Sequence, residues 1–258
     1  MNQTLKRFCK FEQVFTHHQM PGGNQLRIGL VQLATDFTLE RDWHQLAGNA
    51  VELYTARMFS DPEMSLESLP ALQKHIAAAA ELLVPGKTLD VMAFGCTSAS
   101  MLIGEEGVAA QFSHSRPGVP CTNPWVASQA ALKHLGAKRI AVLTPYCSEI
   151  NFELFQGLEQ SGFEVSAFGT FNLHQDIEVP DIPPAALSPA IERLLSGVDA
   201  DAVFLSCTNL RALEVLDELE QRFQLPMVSS NQALYWHALT LAGSEVNVNG
   251  YGRLLSDR

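Results

Sequence analysis

Two cysteines stand in matching surroundings in this sequence, and their setting suggests a chemistry before any fold is assigned. Cys96 lies in Gly95-Cys96-Thr97-Ser98 and Cys207 in Ser206-Cys207-Thr208-Asn209, each closing a short apolar run that opens with an aspartate, Asp90 or Asp201. The small residue before each cysteine permits a tight turn, and the Thr, Ser or Asn after it can cap a following helix. A thiol at a positive helix end faces free backbone N–H groups, which favour thiolate and lower a reference pKa of about 8.5. Two such thiols facing one small acid can divide the work. One removes a proton from, or adds to, a carbon next to a carboxylate, and the other protonates the opposite face. No metal or organic cofactor is needed for this, and we expect none. A lone cysteine is more often a small buried hydrophobe. Cys9, Cys121 and Cys147 keep that plainer reading, although Cys147 follows a strand end and could line the same cleft.

The two cysteine segments belong to a longer internal repeat. Arg27-Ile28-Gly29-Leu30-Val31 resembles Arg139-Ile140-Ala141-Val142-Leu143, and the run from Asp90 to Thr97 resembles that from Asp201 to Thr208. A third pair joins Val119-Pro120, Asn123 and a helix ending at Gly136 to Leu225-Pro226, Asn231 and a helix ending at Gly243. Three pairs in one order, at offsets of roughly 106–112, argue for two related halves of about 110 residues each.

The elements that would carry these residues alternate. Strands are expected over Ile28–Leu33, Asp90–Phe94, Ile140–Thr144, Glu164–Phe168, Ala202–Leu205 and Met227–Ser229, as continuous apolar runs that suit parallel strands buried on both faces. Helices are expected over Leu66–Val84, Pro124–Leu135, Asn151–Ser161, Ala185–Leu195, Leu210–Phe223 and Gln232–Ala242, with Gly136, Gly162, Gly197 and Gly243 after four of them. The fold class is therefore α/β, with parallel sheets built of right-handed crossovers in two related halves; if the halves pack around a pseudo-two-fold axis, Cys96 and Cys207 face each other across one cleft. Ligands of open α/β sheets bind beyond the carboxyl ends of the strands, where both cysteines sit. We expect an N-terminal arm over 1–25, a first half over 26–127 and 230–258, and a second half over 128–229.

Composition narrows the classes of partner. The 258 residues are 47% hydrophobic and 17% charged, with a formal net charge of −11. A surface that acidic repels phosphate backbones, so nucleic acid is not expected as a partner. Neither a signal-peptide core nor an 18-residue apolar span is visible, so neither membrane nor export is expected, and five scattered cysteines suit free thiols in the cytoplasm. His17-His18 lacks the spacing of a metal site. Pro85-Gly86-Lys87-Thr88 precedes a strand and reads as a turn, not a phosphate loop. Glu214, Asp217, Glu218 and Glu220 read as a solvated acidic helix face, and Trp125 and Trp236 as packing anchors in matching helices.

With these residues in view, the chain resembles the aspartate/glutamate racemase superfamily, in the branch holding maleate cis–trans isomerase and arylmalonate decarboxylase. Within that branch it is most similar to the ectoine-utilisation protein A group. The likeness is carried by Leu33-Ala34-Thr35-Asp36 with Glu40-Arg41-Asp42, Phe94 through Ser100, Arg116 through Pro120, Val142-Leu143-Thr144-Pro145-Tyr146 and Ser230-Asn231-Gln232-Ala233. It runs from about Arg27 to Leu255. The resemblance implies two Rossmann-like parallel-sheet halves related by a pseudo-two-fold, with the site in the cleft between them, and cofactor-independent chemistry on a small carboxylate, with Cys96 as nucleophile or base and Cys207 as its acid/base counterpart. It further implies that Thr35, Thr97, Ser98, Tyr146, Thr208 and Asn209 contact substrate, and a homo-oligomer is expected.

Two departures from the isomerase pattern stand out: Asp36 and Asp176 occupy positions where the isomerase carries Asn. Asn can donate a hydrogen bond to a carboxylate, whereas ionised Asp only accepts. These aspartates therefore favour a ligand with a cationic end, such as an ectoine-derived diamino acid, racemised or epimerised in ectoine catabolism. Set against this, Asp36 could simply cap the helix starting near Leu39, and Asp176 could be a solvated loop residue. The alternatives are a maleate cis–trans isomerase and a non-catalytic small-molecule binding or regulatory module. A decarboxylase is less favoured, because the related decarboxylases pair this pattern with a single catalytic cysteine.

Overall fold

The structure is a computed structural model that describes residues 2–16 and 25–256. His17-His18 lies outside the described residues. Eight strands form two parallel four-stranded sheets. The first contains β1 (Leu26–Leu33), β2 (Val51–Met58), β3 (Val91–Gly95) and β4 (Cys121–Thr122), in the order β2-β1-β3-β4. The second contains β5 (Arg139–Tyr146), β6 (Glu164–Leu173), β7 (Ala202–Leu205) and β8 (Met227–Ser229), in the order β6-β5-β7-β8. The two orders are one order, element for element, as the repeat requires. Arg27 and Arg139 open the central strands, and Asp90 and Asp201 receive the backbone N–H of Arg27 and Arg139 at the same 2.8 Å.

Twelve helices accompany the sheets among the described residues: α1 (Gln3–Phe11), α2 (Leu39–Ala47), α3 (Ser68–Ala71), α4 (Gln73–Glu81), α5 (Thr97–Ile103), α6 (Glu105–Ser115), α7 (Pro124–His134), α8 (Ser148–Gln160), α9 (Leu187–Leu194), α10 (Leu216–Phe223), α11 (Ser230–Leu241) and α12 (Arg253–Ser256). The strands β3, β7 and β8 are buried along their whole length, which is why their sequences are continuously apolar. Trp43 is fully buried, edge-on to Tyr235 at 5.4 Å, and donates its indole N–H to Asn231 O at 3.1 Å. Truncating such an aromatic costs about 3–5 kcal/mol, so this contact binds α2 to α11 strongly.

Several elements depart from the sequence reading. β2 was not expected: Val51–Met58 is an edge strand that alternates polar and apolar residues, so it lacks the continuous run of the inner strands. The expected helix Leu66–Val84 is broken into α3 and α4, and the expected Leu210–Phe223 begins as a helix only at Leu216, after a 3₁₀ turn at Leu213–Val215. The arm contains α1, none of whose residues is buried. The acidic face of α10 is not simply solvated. Glu220 is buried and receives the N–H groups of Met227 and Arg253, while Asp217 receives that of Gly252, so these carboxylates fasten the C-terminal segment.

Candidate active site

β3 and β7 occupy equivalent places in their sheets, and each delivers its cysteine just beyond its carboxyl end. Cys96 is the N-cap residue of α5, with extended backbone at φ −157°. The small residue before it is required: a Cβ on Gly95 would lie 2.2 Å from Leu39 Cδ2. Cys207 instead lies two residues beyond the end of β7 with φ +145°, a conformation that L-residues with a side chain rarely adopt and that costs of order 1–3 kcal/mol. No α-helix starts directly after it, so the helix-end setting expected of both cysteines exists only at Cys96.

Both cysteines line one small, largely closed pocket. Its polar wall is Cys96, Thr97, Ser98, Tyr146, Asp176, Cys207 and Thr208, together with Asp61 and Ser68. Its apolar wall is Leu33, Met64, Leu69 and Leu72. Cys147 is buried but is not among the lining residues, so it does not share the cleft. The roof is the segment after β2, which pairs with the segment after β6: Met64 N–H donates to His174 O and Asp176 N–H to Pro62 O, both at 2.8 Å.

Of the other expected site residues, Thr35, Asp36 and Asn209 stand behind the wall. Thr35 Oγ1 donates to Asp176 Oδ2 at 2.6 Å, and Asn209 Nδ2 donates to Asp176 O and Thr35 O at 3.0 and 3.1 Å. Thr35 and Asn209 therefore fix Asp176 from both halves. Asp36 Oδ1 receives the N–H groups of Thr38, the N-cap residue of α2, and of Leu39, its first residue, both at 2.8 Å, so it secures the entry to α2 from two residues before the N-cap position. Its Oδ2 is buried without a hydrogen-bond partner. The plainer reading of Asp176 is overturned: it is 6% exposed, within a 3₁₀ turn over Asp176–Asp181, and faces the pocket.

The electrostatics reverse the sequence expectation for the thiols. Burial pushes the Cys96 thiol up to about 12, outweighing the Ala99 N–H that favours thiolate, and the charge of Asp176 adds to the rise. Burial, then Asp176, raises Cys207 well above its ordinary value, against the pull of the Asn209 N–H and Tyr146. Burial also raises Tyr146 well above its usual range, and raises Asp176 to about 7 with help from the Asp36 charge. Helix-end dipoles are legible in a sequence; enclosure and a second carboxylate are not, and here they win. The pocket thus holds two thiols that burial keeps protonated, and no basic side chain among its described lining residues.

Sequence reasoning missed the roof and its lining residues Asp61, Met64, Ser68, Leu69 and Leu72, because they enter the site only through the unrecognised strand β2. It also gave Ser230 no role. Ser230 is fully buried and lies between the two cysteine turns.

Comparison with known proteins agrees with this architecture. The chain is 30% identical over 142 residues to arylmalonate decarboxylase of Bordetella bronchiseptica, a segment spanning 54% of this chain and 59% of that protein. It is 27% identical to maleate isomerase of Nocardia farcinica over 89% of this chain and 95% of that one. Among solved structures, the Nocardia farcinica maleate cis–trans isomerase mutant with a covalently bound succinylcysteine intermediate superposes with a TM-score of 0.80 at 26% identity, covering 90% of this chain and 99% of that one. The maleate isomerase of Pseudomonas putida S16 shares the fold, with a TM-score of 0.82 at 23% identity, covering 90% of this chain and 98% of that one. The family model for arylmalonate decarboxylase matches residues 45–255, and the chain belongs to that family.

Proposed function

We propose that this chain is a cofactor-independent, isomerase-type enzyme in which Cys96 and Cys207 act as a pair on a small carboxylate that also carries a cationic group. The observation that carries the reading is the composition of the pocket: one cysteine from each sheet, Tyr146, and the carboxylates of Asp61 and Asp176, with no lysine or arginine among its described lining residues. A dicarboxylate would add charge of the sign already present. An ammonium or amidinium group beside the carboxylate would offset Asp176, and by the same Coulomb effect would bring the thiols' pKa values down on binding. An ectoine-derived diamino acid has this chemistry, and the preferred reaction is its racemisation or epimerisation.

The protons balance in a simple exchange. One cysteine, as thiolate, takes the hydrogen on the carbon next to the carboxylate and becomes a thiol. The other, as thiol, gives its proton to the opposite face of that carbon and becomes the thiolate. Thr97, Ser98 and Thr208 line the pocket beside them, and the Ser98 and Thr208 hydroxyls and the backbone N–H groups there suit the carboxylate as negative charge builds on it. Maleate isomerisation is the second reading, favoured by the 27% identity to the Nocardia farcinica maleate isomerase over 95% of its length.

The deciding experiment incubates the protein in deuterated water with an N-acetylated diaminobutyrate and, separately, with maleate. Deuterium entering the α-carbon of the diamino acid, and lost in Cys96→Ser and in Cys207→Ser, is the expected result. Robust conversion of maleate to fumarate by the unmutated chain would overturn the cationic-substrate reading in favour of the second.

A further inference from the structure

Ser230 touches both cysteine turns through a single oxygen. Its Oγ receives the hydroxyl of Thr97, the residue after Cys96, at 2.9 Å. The same atom receives the backbone N–H of Cys207 at 3.1 Å. Thr97 therefore spends its hydroxyl on Ser230 and not on the pocket. The two donors come from turns 110 residues apart (207 − 97), and they meet at the first residue of α11. Ser230 is 0% exposed, so no water competes for either bond.

The backbone it holds is the strained one. Cys207 carries φ +145°, which an unrestrained cysteine would leave for negative φ. Three contacts oppose that relaxation. Ser230 fixes the Cys207 N–H, Asn231 Nδ2 donates to Thr208 O at 2.8 Å, and the Asn209 N–H reaches Cys207 Sγ at 3.4 Å. Asn231 is in turn held by the buried Asp42 at 2.9 Å. The start of α11 is thus a clamp on the second cysteine, with one atom shared with the first.

We propose that Ser230 is a positioning residue that sets the Cys207 thiol relative to Cys96 by holding the Cys207 turn in its strained conformation and tying it to Thr97. The proposal rests on the two-cysteine reading for its catalytic meaning, but its geometry is testable without any turnover. Removing the acceptor lets the Cys207 turn relax, takes Sγ away from the Asn209 N–H and weakens its thiolate.

The test measures alkylation of each cysteine by iodoacetamide, resolved by peptide mass spectrometry from pH 7 to 10. Cys147, buried outside the pocket, is the internal reference in the same chain. In Ser230→Ala the Cys207 rate at pH 8.5 is expected to fall at least fivefold and its pH profile to move upward, with Cys147 within twofold of the unmutated chain. Ser230→Thr, which keeps the oxygen, is expected to restore the Cys207 profile. Thr97→Val, which removes one donor and leaves Ser230 in place, is expected to shift Cys207 in the same direction by a smaller factor and provides the answer should Ser230→Ala not fold. A Cys207 profile unchanged in both Ser230→Ala and Thr97→Val, or a change matched at Cys147, overturns the proposal. Absence of turnover on diaminobutyrates and maleate would count against the functional reading and leave this result standing.

Discussion

Thr35 Oγ1 donates a 2.6 Å hydrogen bond to Asp176 Oδ2, joining the end of β1 to the segment after β6 across 141 residues of sequence. This bond places a buried carboxylate beside two buried thiols, and much of the behaviour of the site turns on that placement. Asp176 is not a passive wall residue: its charge raises Cys96 and Cys207 and its own proton affinity is raised to about 7.

The first prediction follows from that raised value. Folded Asp176 holds its proton up to about 7, whereas an unfolded aspartate releases it near 3.8. Between those values the native state binds more protons than the unfolded one, so stability falls as pH rises. The loss begins near pH 4 and is complete above pH 7; the shift corresponds to an upper limit of about 4 kcal/mol. Asp42, raised to about 6 by burial, slopes the same way over a narrower window. Asp176→Asn, which keeps an oxygen for Thr35, should flatten the decline of melting temperature between pH 4 and 7 and stabilise the chain at pH 8. A melting curve for Asp176→Asn that declines as steeply as the parent's would refute the assignment.

The second prediction concerns the thiols. Cys96→Ser and Cys207→Ser should each lower deuterium exchange into the substrate's α-carbon by about 10²–10⁴, the usual weight of a proton-transfer group. Neither should move the melting temperature by more than about 4 °C, which corresponds to about 1 kcal/mol. Full turnover in either variant would remove that cysteine from the mechanism.

How much of this was legible beforehand depends on whether a residue's role is local. β1, β3, β5 and β7 could be read because inner parallel strands are apolar on both faces, β8 because it is buried along its length although it stands at an edge, and the cysteine pair because the repeat aligned one turn with the other. β2 could not, since Val51–Met58 alternates like a half-exposed edge, and with it went the roof carrying Asp61, Met64 and Leu69. Asp36 was legible as a residue that secures the start of α2 because its partners Thr38 and Leu39 are two and three residues away. The thiols' ionisation was read with the wrong sign because a helix end is local whereas burial and the Asp176 charge arise from the assembled fold. Ser230 was invisible for the same reason: its two donors come from distant turns.

A third prediction tests why the residue before Cys96 is glycine. A Cβ at position 95 would lie 2.2 Å from Leu39 Cδ2, so Gly95→Ala forces the Leu39 side chain out of its place in the fully buried contact between α2 and β3. Overpacking of this kind costs about 1–3 kcal/mol, and the displacement is passed to Cys96. Leu39→Ala alone opens a cavity at a fully buried site, at about 2–5 kcal/mol. The double variant should cost at least about 1 kcal/mol less than the sum of the singles, since each change makes room for the other. Urea unfolding of the four proteins measures the coupling, and strict additivity would show that the clash is relieved elsewhere.

The last prediction separates strain from burial at the two cysteines. Cys96 and Cys207 are equally buried, at 5% exposure, so losing either side chain forfeits a similar amount of packing. They differ in backbone: φ is −157° at Cys96 and +145° at Cys207. Glycine tolerates positive φ at no steric cost but pays about 0.5–1 kcal/mol in chain entropy wherever it is introduced. That entropy is common to both sites, so Cys207→Gly gains the relief of strain and Cys96→Gly does not. We expect Cys207→Gly to be the less destabilising of the two by about 1–2 kcal/mol in urea unfolding, although both lose the proton-transfer thiol. Such a difference would mean that the chain gives up stability to hold one of its two thiols in place. Equal costs would show that the positive φ at Cys207 carries no strain.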